Sequence, residues 1–163
     1  MPTFSTVVYP KRVITTRGLR FLLVEDSADD SFFIDRAMKN VPDVQLCIVK
    51  DGQEAIDYLE GRQSYADRKK FPLPDIILLD LKMPRVDGFQ FLKWRREQAP
   101  DDVSLIPVVV MSGSDLEEDI REAYTLGANR YLVKSTDQDV FQKRMKLMAE
   151  LWAESELPTR ASR

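Results

Sequence analysis

The sequence of 163 residues contains no histidine and a single cysteine, Cys47. Without histidine the chain cannot build a Ser-His-Asp triad, a histidine metal site or a phosphohistidine of its own. A lone cysteine cannot form a disulfide within the chain, which fits a reducing compartment. Any phosphoryl chemistry must therefore use carboxylates, hydroxyls and amines.

Several sequence features of membrane and nucleotide-binding proteins are also missing. No apolar run approaches the length that spans a bilayer, and residues 1–18 lack the apolar core of a signal peptide. The net charge is −3 with acids and bases mixed, so no basic patch for nucleic acid is expected. The six glycines form neither a dinucleotide-binding motif nor a P-loop. We expect a cytoplasmic protein without a membrane or nucleic-acid partner.

Short apolar runs alternate with longer amphipathic segments along the chain. Most of the runs are continuous rather than alternating, which is typical of parallel strands covered by helices on both faces. The predicted strands are residues 21–24, 44–49, 76–79, 106–111 and 131–133. Each is followed by a helix-start signal, an N-cap oxygen with an acid or amide three residues later. The predicted N-caps are Ser27, Asp51, Asp87, Ser114 and Ser135.

Five strand-helix units connected by right-handed crossovers form an open, doubly wound α/β sheet. In such a sheet the functional site lies at the carboxyl ends of the strands. Polar residues stand at four of these strand ends: Glu25 and Asp26 after the first strand, Asp80 after the third, Ser112 at the end of the fourth and Lys134 after the fifth. Any one of them has an ordinary alternative, as a helix cap, a turn residue, a loop serine or a surface lysine.

Together these residues indicate phosphoryl chemistry. Carboxylates that lie close together need a cation, and oxygen-only ligands select a hard ion such as Mg²⁺. A carboxylate can also attack phosphorus to form an acyl phosphate, and an ammonium and a hydroxyl can stabilise the phosphoryl oxygens. Asp80 is the candidate nucleophile because it ends the most hydrophobic strand and precedes a Met83-Pro84 turn.

The motifs resemble the receiver domain of two-component response regulators. They are LLVED at 22–26, IILLDLKMP at 76–84, DG at 87–88, IPVVVMS at 106–112 and GANRYLVK at 127–134. The resemblance covers residues 19–153 and leaves an N-terminal arm at 1–18 and a tail at 154–163. It implies a flavodoxin-like (βα)5 fold with a five-stranded parallel sheet in the order 2-1-3-4-5. It also implies phosphotransfer from a sensor histidine kinase.

The resemblance assigns a role to each matching position. It implies that Asp80 is the phosphoacceptor, with Mg²⁺ bound directly by Asp26 and Asp80, through water by Glu25, and by the backbone carbonyl of Lys82. Lys134 would bind the phosphoryl group.

Two further positions match the family's switch residues. The resemblance implies that Ser112 is the switch hydroxyl and that Tyr131 is the aromatic residue whose rotamer follows it. One position departs from the family, because Ser135 stands where a proline with a cis peptide usually follows the lysine. A non-proline cis bond costs about 3–4 kcal/mol, which leaves the geometry of this loop open.

Three features resemble a subgroup, the single-domain receivers paired with phytochrome-type histidine kinases. They are the long connection at 61–74, the Lys134-Ser135 junction and the ending Glu150-Leu151-Trp152. This finer resemblance implies a light-sensing (bacterio)phytochrome kinase as phosphodonor and a tendency to homodimerise. We expect the basic connection at 61–74 to be a solvated loop rather than a docking site.

The last predicted helix carries a wide apolar face. Only about ten residues follow Trp152, so we expect no effector domain there. The output would then be a protein contact, a phosphorelay step or a phosphate sink. One stripe would cover the sheet. The excess predicts a homodimer interface, although a wide core face is the alternative. The assigned interface residues are Phe141, Met145, Met148 and Trp152, and Val140, Leu147 and Leu151 broaden the face.

Three other functions fit less well. A haloacid-dehalogenase-type phosphatase needs a second acid two residues after the nucleophile, where this chain has Lys82. A degenerate receiver would have lost the acceptor, the lysine or an acid of the pair, and none is lost. A flavodoxin-like cofactor binder would need glycine- and hydroxyl-rich phosphate loops, which are missing. The sequence therefore predicts a phosphoacceptor switch rather than a metabolic enzyme.

Overall fold

The computed structural model describes residues 18–155. Its sheet has five parallel strands in the order β2-β1-β3-β4-β5, so the predicted doubly wound, flavodoxin-like topology is confirmed. The predicted arm at 1–18 and tail at 154–163 lie almost wholly outside the described residues. The strands are β1 (Leu19–Val24), β2 (Val44–Val49), β3 (Ile76–Asp80), β4 (Val108–Ser112) and β5 (Arg130–Val133).

Helices connect the strands and follow the last one. They are α1 (Ala28–Met38), α2 (Gly52–Glu60), α3 (Gly88–Glu97), α4 (Asp101–Ser104), α5 (Glu117–Thr125) and α6 (Gln138–Ala153). The short α4 and a 3-10 turn at Gln63–Tyr65 were not predicted from the sequence. None of these helices is long and apolar enough to cross a bilayer.

The continuous apolar runs are explained by two cores, one on each face of the sheet. In β1, Leu22 and Val24 face the core beneath α2, α3 and α5, whereas Phe21 and Leu23 face the core beneath α1 and α6. Burying one such side chain contributes about 1.5–3 kcal/mol. Both faces of the sheet are covered, so the register of the strands is fixed. The polar residues at their carboxyl ends are therefore held in fixed positions relative to one another.

Three predicted helix caps are present. Ser27 Oγ accepts a hydrogen bond from the amide of Asp30, and Asp51 Oδ1 accepts one from the amide of Glu54. Asp87 begins α3 with a reciprocal capping box. These caps fix where α1, α2 and α3 start relative to the strands before them.

The other two predicted caps are wrong. Helix α5 begins after Leu116 without a side-chain cap, and Ser114 lies two residues further upstream. Helix α6 is capped by Asp137, which accepts from two backbone amides, while Ser135 Oγ instead accepts from the amide of Asp137 itself. No peptide bond among residues 18–155 is cis, so the bond between Lys134 and Ser135 is trans.

The connection between α2 and β3 is exposed at Arg62, Lys69 and Lys70, as expected of a solvated loop, whereas Arg68 is partly buried. The guanidinium of Arg68 donates to the carbonyl oxygens of Tyr58 and Leu59 at distances of 2.6 and 2.5 Å, which satisfies the end of α2. The rings of Tyr58, Tyr65 and Phe71 pack together beside it. Arg68 is therefore a structural cap on α2.

The predicted interface stripe on α6 needs a correction. Phe141, Met145 and Met148 are buried in the chain's own core, packed toward α1 and the sheet, and Trp152 packs partly against the same core. The assignment of Phe141, Met145 and Met148 to a dimer interface is wrong, because a side chain already buried in the core has no surface to offer a partner. Trp152 is only partly buried, and its assignment stays a prediction. The exposed apolar residues of α6 are Val140, Leu147 and Leu151, at 39%, 55% and 56% exposure.

Candidate functional site

The carboxyl ends of β1 and β3 bring three acids together. The strands pair with Val24 opposite Leu79, so Glu25 and Asp26 follow β1 at the level where Asp80 ends β3. One carboxylate oxygen from each of the three residues lies within 4.8 Å of the others. Glu25 and Asp80 are buried and Asp26 is exposed. The predicted acidic cluster is thus formed, with one side open to solvent.

Lys134 lies among these acids, immediately after β5. Its Nζ is 2.7 Å from Glu25 Oε2, 2.7 Å from Asp30 Oδ2 and 3.3 Å from Asp80 Oδ1. Its backbone amide donates to the carbonyl oxygen of Ser112 at 2.7 Å. One ammonium therefore serves three carboxylates, and the β4-β5 pairing fixes the point from which it reaches them.

Asp30 belongs to this site but was not predicted to do so. From the sequence it was assigned only to the capping pair with Ser27. It occupies the first turn of α1, and helical side chains lean toward the helix N-terminus. The Asp30 carboxylate therefore reaches back toward the strand ends. Its position four residues after Asp26, across the start of α1, was the signal that could have identified it.

The acids and the lysine change each other's protonation. Burial raises the pKa of Glu25, and the nearby Asp80 adds to that, although the hydrogen bond from Lys134 opposes it. Burial also raises the pKa of Asp80, against the opposing charge of Lys134. For Lys134, burial lowers the pKa, but the hydrogen bonds to Asp30 and Glu25 outweigh it, and the net pKa is raised. The lysine stays charged, while the acids exceed the positive charge available to them.

Ser112 and Tyr131 both contact the backbone of Ser114, in the loop after β4. Ser112 is fully buried at the end of β4, and its Oγ accepts from the amide of Ser114 at 3.1 Å. The Tyr131 hydroxyl donates to the carbonyl oxygen of Ser114 at 3.0 Å. A change in the partner of Ser112 would thus alter the same residue that holds Tyr131.

The loop after Asp80 is tightly fitted. A Cβ on Gly88 would lie 2.5 Å from the carbonyl oxygen of Asp80, so only glycine allows α3 to start this close to the site. The amide of Gly88 donates to the carbonyl oxygen of Leu81 at 3.0 Å. Lys82 lies in this loop with its side chain exposed, and the role of its carbonyl as a metal ligand stays a prediction.

A second ion pair holds the same loop from the other side. Asp51 is buried after β2, and the guanidinium of Arg85 forms an ion pair with its Oδ2. Arg85 has a φ of 63°, a left-handed conformation that is uncommon for a residue with a side chain. The amide of Gly52 donates to the carbonyl oxygen of Val86 at 2.9 Å. The start of α2 and the loop after Asp80 are therefore tied together.

The donor set of the acidic cluster fits a hard divalent cation. All three donors are carboxylate oxygens, and they lie close enough to share one ion. Asp26 is exposed, so solvent reaches the cluster from that side. Divalent charge would also oppose the rise in the pKa of Glu25 and Asp80, which burial causes and the neighbouring acids increase.

Comparisons with known proteins agree with this geometry. The family model of the response regulator receiver domain matches residues 21–146. Response regulator Rcp1 from Synechocystis sp. is 36% identical over 135 residues, which are 82% of this chain and 88% of that protein.

Two solved structures are similar throughout. The phosphorylated cyanobacterial phytochrome response regulator RcpA matches with a TM-score of 0.80 at 34% identity, over 87% of this chain and 99% of that chain. The Mn²⁺-bound form of Rcp1 matches with a TM-score of 0.77 at 36% identity, over 86% and 99% of the two chains.

Proposed function

Because the chain belongs to the response regulator receiver domain family, we propose that it is a signalling switch that accepts a phosphoryl group on Asp80. The observation that carries this proposal is the position of the Asp80 carboxylate, which lies within 4.8 Å of two other acids and 3.3 Å from the Lys134 ammonium. A nucleophile, a cation site and a phosphoryl-binding charge thus meet at one point.

The proposed step is transfer from a phosphohistidine of a partner kinase. One Oδ of Asp80 forms a bond to phosphorus while the phosphorus-nitrogen bond of the donor breaks. The bonding electron pair goes to the imidazole nitrogen, which then takes a proton. The transition state is loose and anionic, so positioning and charge stabilisation dominate the rate. Lys134 would stabilise one phosphoryl oxygen and the Ser112 hydroxyl another.

We assign the cation site to Mg²⁺, with Asp26 and Asp80 as direct ligands and the Lys82 carbonyl as a third. When bound, Mg²⁺ supplies positive charge that offsets the phosphoryl oxygens. Glu25 fits a role through water, since its Oε1 accepts from the amide of Ser27 at 3.1 Å and its Oε2 from Lys134. The Mn²⁺-bound Rcp1 structure supports a divalent ion in this fold.

Phosphorylation is proposed to act through Ser112 and Tyr131. A phosphoryl oxygen on Asp80 offers the Ser112 hydroxyl a charged acceptor, stronger than its present contact with the Ser114 amide. Movement of Ser112 would release the Ser114 loop, and Tyr131 would lose its carbonyl partner and turn inward. The surface formed by α5 and α6 would then change.

The proposed phosphodonor is a phytochrome-type sensor histidine kinase, and the proposed location is the cytoplasm. The similarity to Rcp1 and to the phytochrome response regulator RcpA supports this kinase class. The test is transfer from a purified phytochrome kinase in red and far-red light. Light-dependent loss of label from the kinase, with gain on this chain, is expected, and transfer that does not change with light would contradict the assignment.

The proposed output is a homodimer whose surface includes the exposed apolar residues of α6. Leu147 and Leu151 lie outside the core, and exposed apolar patches commonly mark interfaces. Light scattering with and without beryllofluoride tests this. Leu147→Glu should give a monomer, whereas Phe32→Glu, an equally exposed apolar site on α1, should not. A wild-type monomer under both conditions would contradict the proposal.

The direct test of phosphorylation is incubation with acetyl phosphate and Mg²⁺, followed by intact mass measurement. Wild type should gain one phosphoryl group, and Asp80→Asn should gain none. Asp51→Asn is the matched control, because it alters a buried acid at the same edge of the sheet and should still be labelled. Equal labelling of Asp80→Asn and wild type would show that the acceptor is misassigned.

A further inference from the structure

We propose that Asp30 is a positioning residue that holds Lys134 in the unphosphorylated protein and competes with the phosphoryl group for it. This inference rests on the proposed role of Asp80 as acceptor. It adds a fourth acid, outside the set that binds the cation, as a determinant of how readily the switch turns on.

The contact between Asp30 and Lys134 is as close as any that the lysine makes. Lys134 Nζ lies 2.7 Å from Asp30 Oδ2, the same distance as from Glu25 Oε2, and 3.3 Å from Asp80 Oδ1. The lysine side chain is only 15% exposed and that of Asp30 is 31% exposed, so water screens the pair less than it screens a surface pair. Lys134 therefore points at Asp30 and Glu25 more than at Asp80.

The charges at the site explain why this contact opposes phosphorylation. An ammonium has three hydrogens, and Asp30 and Glu25 each hold one of them in the resting arrangement. Asp80 is 3.3 Å from the ammonium, so a close contact with a phosphoryl group on Asp80 draws Lys134 away from Asp30. Asp30 is not among the three acids close enough to share a cation, so a bound cation does not replace the lysine there.

The ordinary alternative is that Asp30 serves only its helix. An acid in the first turn favours the helix dipole, and Asp29 lies in the same turn with the same charge. The cap of α1 uses the backbone amide of Asp30, not its carboxylate, so replacing the side chain leaves that hydrogen bond in place. Asp29→Asn is thus a matched control for both charge and helix effects.

The test measures the affinity for beryllofluoride, an analogue of the phosphoryl group, in saturating Mg²⁺ by titration. Asp30→Asn should bind about fivefold tighter than wild type, which is the equivalent of about 1 kcal/mol. Asp29→Asn should stay within about twofold, as expected for a screened surface charge. Asp30→Glu, which keeps the charge and can still reach the lysine, should return toward the wild-type affinity.

Each result separates this inference from the proposed function. Wild type that does not bind beryllofluoride would overturn the assignment of Asp80 and the present inference with it. Wild type that binds, with Asp30→Asn equal to Asp29→Asn or weaker than wild type, would overturn the role of Asp30 alone. Asp30→Asn should unfold at a slightly lower temperature than Asp29→Asn, because only Asp30 contacts Lys134. Matching circular dichroism spectra of the two variants would show that the difference in affinity does not arise from misfolding.

Discussion

Two buried acids, Asp51 and Asp80, lie at the same edge of the sheet but differ in how their charges are paired. Asp51, after β2, uses both oxygens: Oδ1 accepts from the amide of Glu54 at 2.9 Å, and Oδ2 pairs with the guanidinium of Arg85. Asp80, at the end of β3, has an ammonium at 3.3 Å that makes closer contacts elsewhere. One carboxylate is fully paired, and the other shares its counter-charge.

This difference separates a structural acid from a reactive one. The pairs made by Asp51 tie α2 to the loop after β3. Burial raises the pKa of Asp80, and the neighbouring Asp26 adds to that, so its charge is held at a cost that a cation or a bond to phosphorus would relieve. If the two acids differ in this way, substitutions around Asp80 should affect labelling and metal binding, and substitutions around Asp51 should affect only stability.

The largest effect is expected from the lysine that Asp80 shares. Lys134→Met removes the charge that stabilises the phosphoryl oxygens and should slow labelling by acetyl phosphate about 100- to 1,000-fold. Arg85→Met removes the cation that pairs with Asp51 and should leave labelling within about threefold, since it touches no reacting group. Time courses of intact mass provide both rates. Similar losses in the two variants would mean that the two cations do not differ in role.

The affinity for Mg²⁺ should distinguish the acidic cluster that contains Asp80 from Asp51, which lies outside it. Asp26→Asn removes a carboxylate from the cluster that also contains Asp80, and it should weaken Mg²⁺ binding about 10- to 100-fold. Asp51→Asn changes an acid outside the cluster and should bind Mg²⁺ as wild type does. Isothermal titration calorimetry measures both. Unchanged binding by Asp26→Asn would place the cation elsewhere.

The free energy of unfolding should change in opposite directions at the two sites. In metal-free buffer at pH 7, Asp80→Asn should be more stable than wild type by about 1 kcal/mol, because it removes a buried charge near like charges. Asp51→Asn keeps the helix cap but leaves Arg85 unpaired, and it should be less stable by about 1–2 kcal/mol, reduced by the exposure of the arginine.

The pH dependence of this gain follows from the raised pKa of Asp80. Above that pKa the wild-type acid is charged and the gain from Asp80→Asn is complete. As the pH falls through the raised pKa toward the ordinary carboxyl value, the Asp80 carboxyl of wild type becomes protonated and neutral. The stability gained by Asp80→Asn then shrinks. Urea unfolding of both proteins across this range measures the trend, and a gain that grows on acidification would contradict it.

The smallest effect is expected at Arg85 itself. Arg85→Gly loses the ion pair but also removes the cost of a left-handed conformation at φ 63°, so the two changes should nearly cancel. Arg85→Ala loses the pair and keeps the strained backbone, and it should be less stable than Arg85→Gly by about 1 kcal/mol. Equal stability of the two variants would show that the backbone at this position carries no strain.

The sequence predicts the fold well because the strands are buried on both faces. Continuous apolar runs such as 76–79 leave few alternatives to a covered parallel sheet, and polar residues at strand ends must then meet at one edge. The convergence of Glu25, Asp26 and Asp80 follows from that rule alone.

Some features were not predicted because they depend on the direction in which a side chain points. The spacing of residue types along the sequence does not give that direction. Asp30 reaches the site only because side chains in the first turn of a helix lean back toward its start. The stripe at Phe141, Met145 and Met148 covers the sheet, and apolar spacing cannot tell a core face from an interface. Arg68 is in a basic segment, and its role at the end of α2 depends on a turn at Gly61, where φ is 68°.

The central claim is that Asp80, and no other acid at this edge, carries the phosphoryl group. Borohydride reduces an aspartyl phosphate to homoserine, so peptide mapping of phosphorylated and reduced protein locates the acceptor directly. We expect homoserine at position 80, with Asp26, Asp30 and Asp51 intact. Homoserine at any of those three positions, with Asp80 unchanged, would contradict it.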